Sequence, residues 1–380
     1  MKILHVITGL GNGGAEAVLL RLALNDQQYN NQHSVVSLTD RGVYAEAFEQ
    51  AGIAVHTLNF PRGGFSFSGI KKLFKVFKYI DPDVVQTWMY HSDLVGGVVA
   101  RLLGFRSVVW GIRHANLDRA HNSRGTLFVV RLCALLSPWI PRKIVTCSEN
   151  AMRLHKIAGY EANKFVQIPN GYSMERLKPE AMARHRIRAE LGIADDSFVF
   201  GMVARFDVQK DHRNLLKSLA LLKACGIRFT CLLIGAGMER ENHFLTEWLE
   251  DAGVAEDVML LGPRGDIPAV MNAMDVHVLS SLGEAFPNVL AEAMACGIPC
   301  VTTDVGDAAV IVGEHGWVVK PRDATALADG LMKARESFLE GKEEWQKLKL
   351  ACRSHIMANF ELERMCERYR QVWEACMQNH

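Results

Sequence analysis

Strand-like and helix-like stretches alternate along the chain, the alternation breaks near its middle, and it then restarts with a fresh set of apolar strands. Together these observations predict an α/β protein of two doubly wound parallel-sheet domains. In the first half Lys2–Thr8, His33–Thr39, Ile53–Leu58, Asp83–Trp88, Ser107–Gly111 and Lys143–Cys147 read as strands. Ala15–Leu24, Val43–Ala51, Ile70–Tyr79 and Asp93–Leu103 read as the helices between them. A helix inserted between two strands returns the chain to the same end of the sheet, so the strands pair in parallel. The break is the turn-rich, charged region Asn170–Asp196, entered through IPNGY. Beyond it Phe198–Val203, Arg228–Ile234, Val258–Leu261, Val276–Leu279, Cys300–Thr303 and Trp317–Val319 read as the second set of strands. The expected domains are 1–175 and 176–358, with the amphipathic segment 360–376 packing back to complete the first. Two such sheets place ligands at the carboxyl ends of their strands, with a cleft expected between the domains.

Composition narrows the classes. A chain of 380 residues suits two domains of ordinary size, and 49% hydrophobic with 22% charged residues is the balance of a globular protein. The net charge of +1 gives no polyanion signal, so no nucleic-acid partner is expected. Nine cysteines include no C-x-x-C pair, and Cys147, Cys231 and Cys300 sit in apolar runs. Reduced core thiols in a cytoplasmic protein are the expectation. The opening MKILHVITGLGNGGAE breaks into glycines at once and reads as a first strand, not a secretory signal. The longest apolar run, Leu127–Ile140, carries Arg131 and Pro138, so no membrane span is expected.

Several motifs invite other readings. Gly9-x-Gly11-x-x-Gly14 follows a strand and opens a helix, the outline of a dinucleotide fingerprint. The acidic residue that should close the fingerprint lies too far on, near Asp40, and in the second half Gly235-x-Gly237 has Arg240 in place of a third glycine. The content retained is a backbone that approaches a ligand closely at a helix N-terminus, with a merely tight turn as the alternative. Asp81-Pro-Asp83 precedes its strand and reads as a turn. No histidine pair has metal-ligand spacing on a helix, so no metal is expected. The segment GIKKLFKVFKYI carries Lys71, Lys72, Lys75 and Lys78 beside Phe74 and Phe77; it covers a sheet or touches a membrane surface.

The most informative stretch is Gly283 to Val301, GEAFPNVLAEAMACGIPCV. Pro287 stands where a first helical residue is expected, and Gly297 and Pro299 stop the helix. Glu284 on the loop and Glu292 in the helix are eight positions apart. Glu292 either faces solvent or has a partner, because a buried lone carboxylate among Leu290, Ala291, Ala293 and Met294 is costly. Upstream, Arg205 and Lys210 follow the strand ending at Val203 and precede a helix. Cations placed there suit a phosphate or diphosphate, with ordinary solvated charges as the alternative. Cations for a diphosphate and carboxylates for ribose and sugar hydroxyls, all at the strand ends of one sheet, are the groups a nucleotide-sugar needs.

The run EAFPNVLAEAMACGIPCVTTDVGD, with ARFDVQKD and LLGPRGDI before it, resembles the retaining glycosyltransferases of family 4. GNGGAEAVL, DVVQTWMYHSDLVG, GIRH and IPNG in the first half are similar to that family as well. The resemblance implies the GT-B architecture of two facing Rossmann-like domains. It implies that Glu292 accepts hydrogen bonds from the ribose, that Glu284 contacts the donor sugar, and that the Phe286-Pro287-Asn288 backbone lies near sugar and phosphate. Arg205 and Lys210 would neutralise the leaving diphosphate, Gly13 and Gly14 would let the first-domain loop close over it, and His114 would sit near the transferred sugar. Arg264 would lie on the loop near the nucleobase. The family pattern often continues PNG-V-D, where this chain has Asn170-Gly171-Tyr172-Ser173.

The activity implied is transfer of a sugar, with retention, from a nucleotide-sugar (a UDP-sugar being the expected donor) to a hydroxyl of a glycan or lipid-linked oligosaccharide in bacterial envelope polysaccharide synthesis. No cofactor or metal is expected beyond the donor itself. The expected location is cytoplasmic, with peripheral contact at the inner face of the membrane through the basic helix at 70–79. His91 and the Met89-Tyr90 pair would help shape the acceptor site. A nucleotide-sugar epimerase of the same architecture and an NAD-dependent dehydrogenase are the alternatives.

Overall fold

A computed structural model describes residues 1–61, 64, 66–118 and 122–378. The chain forms two compact units: Met1–Gly171 together with the segment from Leu362 onward, and Tyr172–Glu361. The first unit's sheet contains β1 (Lys2–Ile7), β2 (Gln32–Ser37), β3 (Ala54–Thr57), β4 (Val84–Trp88), β5 (Val108–Ile112), β6 (Lys143–Thr146) and β7 (Phe165–Gln167). They pair in parallel in the order β3-β2-β1-β4-β5-β6-β7, and the order reverses between β1 and β4. The second unit's sheet contains β8 (Val199–Val203), β9 (Thr230–Ile234), β10 (Val258–Leu260), β11 (Val276–Leu279), β12 (Cys300–Thr303) and β13 (Trp317–Val319), again parallel, in the order β10-β9-β8-β11-β12-β13. Both are Rossmann-like sheets with a switch point beside the first strand of the unit.

Strand alternation assigns the two faces of the first sheet. Ile3 and Ile7 join the cluster that holds Val18, Leu22, Phe48, Tyr369 and Trp373. Leu4 and Val6 join the opposite one, with Leu73, Phe77, Val99 and Trp110. The helix Phe67–Ile80 contributes Leu73, Val76 and Phe77 to that second face and keeps its four lysines outward, so it covers the sheet. Asp81 is its left-handed C-cap and Asp83 accepts the Lys2 amide at 2.7 Å, which makes Asp81–Asp83 a turn.

The helix Leu362–Gln378 belongs to the first unit. Its buried residues, Met365, Tyr369, Trp373 and Cys376, recur every three or four positions and face the helix Gly14–Asp26 and the sheet. Polar groups fix its register. Trp373 Nε1 donates to Gln86 Oε1 at 3.1 Å, and Arg370 reaches Asp26 at 3.1 Å. The units divide at Gly171/Tyr172 and at Glu361/Leu362, slightly apart from divisions at 175 and 358. The reason is local. The Tyr172 amide donates to Phe360 O, residue 172 bridges Glu361, and the Tyr172 hydroxyl donates to Asn288, which ties 172–175 and 359–361 into the second unit. β7 is missing from the sequence reading because FVQ offers only two apolar residues, whereas the equally short β10 (VML) and β13 (WVV) are apolar throughout. Among the described residues no helix is long and apolar enough to cross a membrane.

Candidate active site

In the second unit the loops after β8 and β11 are stitched together at the carboxyl end of the sheet. Leu282 N donates to Gln209 O at 2.7 Å, and Ser280 Oγ donates to Lys210 O at 2.8 Å. This brings Lys210 Nζ to 2.5 Å from Glu284 Oε1, while Ser281 Oγ donates to the same oxygen at 2.7 Å. The ion pair is only partly exposed, 21% at Lys210 and 15% at Glu284. Two residues 74 positions apart in the chain thus form one charged centre.

Arg205 differs from Lys210. Its side chain is 63% exposed and held by Asp207 at 3.0 Å. Asp207 also accepts the Gln209 amide at 2.9 Å, so one carboxylate shapes the loop and aims the guanidinium. Asp211, left-handed at φ 48°, ends the short turn Val208–Lys210 and caps the helix His212–Ala224 through the Asn214 amide. The loop before that helix is therefore built by two aspartates the sequence reading did not single out.

The helix carrying Glu292 runs Asn288–Ala295, with Pro287 as its N-cap, one position earlier than expected. Pro287 at ψ 95° is still extended, which turns the chain before the first helical residue. Glu292 is partly exposed while Ala291 and Ala293 on either side are buried, so it lies at the margin of the buried face. Phe286 is buried, its ring edge-on to Phe360 with centroids 5.6 Å apart. Asn288 Oδ1 accepts the Tyr172 hydroxyl at 2.6 Å. The Arg264 guanidinium is taken up by Asp266 at 2.8 Å and Glu190 at 2.6 Å, and those carboxylates raise its pKa.

Gly306 packs the next loop onto Glu284. A Cβ there would lie 2.4 Å from Glu284 O and 2.6 Å from Ala285 O, at φ +57°. Gly306→Ala is therefore expected to displace the Glu284 loop and to lower turnover at least about tenfold, a 1.4 kcal/mol effect or more; unchanged steady-state kinetics would refute the placement. Gly235 and Gly237 are required for packing. Their Cβ atoms would meet Ala204 O at 2.2 Å and Phe206 Cβ at 2.6 Å, so this loop serves to seat the Arg205 segment.

Two buried histidines lie beside Lys210. Burial, reinforced by the Lys210 charge, lowers His277 to about 3 and His212 to about 4 from an ordinary 6.5. Both stay neutral in the folded protein. The sequence reading missed them because a lone histidine in a strand or a first helical turn carries no spacing signal. Their contribution to stability is complete above pH 6.5 and is lost as pH falls towards 4, where the unfolded chain takes up protons that the folded one does not. Urea midpoints are expected to hold between pH 8 and about 6.5 and to decline below it; a flat profile down to pH 4.5 would contradict this.

In the first unit Gly13 is the extended N-cap and Gly14 the first residue of the helix that follows β1. A Cβ at Gly13 would meet the Glu16 carboxylate at 2.4 Å, whereas one at Gly11 would meet nothing within 4 Å. His114 follows β5 and is half-buried. Burial lowers its pKa below 6.5, against the opposing bonds of Asn116 and Asn122. Its Nε2 is buried without a hydrogen-bond partner, and Tyr90 meets its ring edge-on at 6.4 Å. Met89, after β4, holds φ 72° with ψ 158°, a conformation that costs a non-glycine residue on the order of 1–3 kcal/mol. Next to it Asp93 is fully buried and pushed well above its usual pKa by burial, with Thr87 Oγ1 at 2.5 Å. His91 is lowered by burial. Among the described residues no three His, Cys, Asp or Glu side chains are grouped to hold a metal ion.

Comparison with known proteins places this architecture. Residues 12–176 match the family described as Glycosyltransferase Family 4, and residues 197–336 match Glycosyl transferases group 1. The chain is 29% identical over 310 residues to "Putative glycosyltransferase EpsF" of Bacillus subtilis, covering 80% of this chain and 79% of that one. It is 24% identical over 312 residues to the UDP-Gal:alpha-D-GlcNAc-diphosphoundecaprenol alpha-1,3-galactosyltransferase of Escherichia coli, covering 81% and 78%. The capsular polysaccharide biosynthesis glycosyltransferase CapM of Staphylococcus aureus is 26% identical over 73% of this chain and 74% of its own. Among solved structures, Anabaena Alr3699/HepE in complex with UDP superposes with a TM-score of 0.85 at 22% identity, over 99% of this chain and 100% of that one. The lipopolysaccharide-biosynthesis glycosyltransferase WaaG superposes with 0.74 at 17% identity, over 98% and 99%. With one family model on each half and this fold throughout, the chain belongs to the family 4 glycosyltransferases, enzymes of the GT-B architecture.

Proposed function

We propose that this glycosyltransferase moves a sugar from a UDP-sugar to a hydroxyl of a glycan or lipid-linked acceptor, with retention and without a metal, in the cytoplasmic assembly of a bacterial envelope polysaccharide. The observation that carries the reading is the Lys210–Glu284 centre at the carboxyl end of the second sheet, with Arg205 on the same loop as Lys210. HepE has been crystallised with UDP-glucose, and the Escherichia coli relative is named for transfer from UDP-Gal to a diphosphoundecaprenol-linked sugar.

Negative charge develops on the leaving diphosphate and positive charge on the sugar. Arg205 and Lys210 counter the first, and preorganised charge is worth most where water is sparse. Glu284, fixed by Lys210 and Ser281, has lone pairs left for sugar hydroxyls. Glu292 receives the ribose, and neutral His114 offers a ring nitrogen to the sugar. Gly13 and Gly14 let the backbone approach the diphosphate, the backbone of Phe286, Pro287 and Asn288 follows sugar and phosphate, and the Arg264 loop borders the base. Each of these groups binds or orients. None is assigned as a nucleophile, which suits a displacement in which a leaving-group oxygen assists removal of the acceptor proton.

The test is calorimetry with a panel of nucleotide-sugars and NAD, followed by product analysis with the best donor. Binding of one UDP-sugar and a retained anomeric configuration in the product are expected. Tight NAD binding with no response to any nucleotide-sugar, or formation of an epimer without acceptor, would overturn the reading. Transfer is expected to persist in EDTA, and complete loss would contradict metal independence. Glu292→Gln should weaken donor binding about tenfold, in keeping with loss of a charge-assisted hydrogen bond; an unchanged Kd would remove Glu292 from the donor site.

A further inference from the structure

The first unit carries a polar recess at the end of the sheet opposite Gly13 and His114. Arg106 precedes β5, Arg142 and Lys143 lead into β6, and Lys164 precedes β7, so the recess lies at the amino ends of three parallel strands. With Arg101 and Trp139 these residues line a pocket of ≈ 450 Å³ that contains no lining carboxylate. Two of the five cations build its wall. Arg101 donates to Trp139 O at 2.5 and 3.1 Å, and Lys164 Nζ donates to the carbonyls of Ser137, Pro138 and Pro141 at 3.0, 2.5 and 2.8 Å.

Arg106, Arg142 and Lys143 form none of the ion pairs seen among the described residues, and Arg142 Nε is buried without a hydrogen-bond partner. Burial, then the neighbouring Arg142 and Arg106, lower the pKa of Arg101; burial also lowers Lys164, with Arg101 and Arg142 adding to it against the opposing charge of Glu161. Five like charges gathered around one recess repel one another, and an anion within it relieves that repulsion. Guanidinium forks and an ammonium are the groups that hold phosphate oxygens. The rim is apolar and exposed: Trp139 at 64%, with Leu102 at 71% beside Arg101 in the chain. An exposed tryptophan among cations is the composition that settles at the headgroup level of an anionic bilayer.

We propose that Arg101, Arg106, Arg142, Lys143 and Lys164 form a phosphate-binding pocket remote from the strand carboxyl ends, which takes a phosphate group of an anionic phospholipid. This site differs from the basic helix Phe67–Ile80, whose lysines are spread along an exposed face.

The test uses the full chain with Arg205→Gln and Lys210→Gln in place, so that pyrophosphate cannot report the donor site. Pyrophosphate binding is followed by calorimetry, and vesicle binding by co-sedimentation with phosphatidylglycerol-containing or pure phosphatidylcholine vesicles. Both pyrophosphate and phosphatidylglycerol vesicles are expected to bind, each at least about tenfold more weakly after Arg106→Gln/Lys143→Gln, from the loss of two cations. Trp139→Ala should weaken vesicle binding and spare pyrophosphate, and Lys71→Gln/Lys75→Gln should change neither. Unaltered circular dichroism and melting show that the variants fold. Pyrophosphate binding that depends on Arg106 and Lys143, with no preference for phosphatidylglycerol over phosphatidylcholine, would support the pocket and overturn its lipid source. Binding of both probes unaffected by Arg106→Gln/Lys143→Gln, or no binding of either, would overturn the pocket itself.

Discussion

Lys210→Met is expected to lower kcat/KM by about two to three orders of magnitude, the usual cost of removing one preorganised charge from a developing anion. The same substitution leaves Glu284, at 15% exposure, with Ser281 as its remaining partner in the centre, so some loss of stability accompanies it, on the order of 1–3 kcal/mol. The two consequences separate in a double-mutant cycle. Glu284→Gln removes the charge that Lys210 neutralises, so Lys210→Met/Glu284→Gln should recover much of the lost stability. If both groups act on the donor, the double variant recovers none of the lost turnover. If the pair only holds two loops together, activity returns with stability. Melting temperature and steady-state kinetics on the four proteins decide between these outcomes, and recovery of kcat in the double variant would sink the assignment of Lys210 to the diphosphate.

Much of the fold was legible because each strand announces itself by β-branched apolar runs and each crossover by helical spacing. All thirteen strands but β7 were found, most to within a residue or two. The motif from Glu284 to Glu292 was legible for the same reason: proline, helix formers and a glycine stop mark its ends, and an acidic residue among alanines is conspicuous. What stayed hidden were relations across the chain. Nothing near Lys210 says that Glu284 is 2.5 Å away, because that contact depends on β8 and β11 being neighbours in the sheet. His277 and His212 gain their meaning from the same adjacency. Arg264 shows the opposite limit. A cation on the correct loop looked available, yet Glu190, from a helix 74 positions earlier, and Asp266 both hold its guanidinium. The cationic recess at Arg142 was equally hidden, since its cations come from three separate stretches, before β5, β6 and β7, and form no run of charge.

Trp373→Ala is expected to destabilise the first unit by about 3–5 kcal/mol, as large-to-small changes at fully buried aromatic positions do. The ring packs edge-on against His5 and tilted against His33 and Tyr369, with centroids 6.1, 6.0 and 5.5 Å away, and its loss opens a cavity against the central strand β1. It also strands Gln86 Oε1, a buried acceptor on β4, which adds a desolvation cost that Trp373→Phe would share although its cavity would be smaller. The effect should be confined. The core of the second unit draws its residues from Phe198 to Trp345 and its partly buried neighbours from Phe206 to Leu348, none of them from the helix Leu362–Gln378. Hydrogen exchange should therefore speed up at the amides of β1, β2 and β4 and stay as it was at β8 and β9. Equal acceleration in both sheets would mean that the two units open together; protection unchanged in β1 would mean that the last helix is an ornament on a unit that folds without it. The burial of Tyr369, Trp373 and Cys376 argues against that second outcome, because without them Ile3, Val84 and Val109 would face water on one side of the sheet.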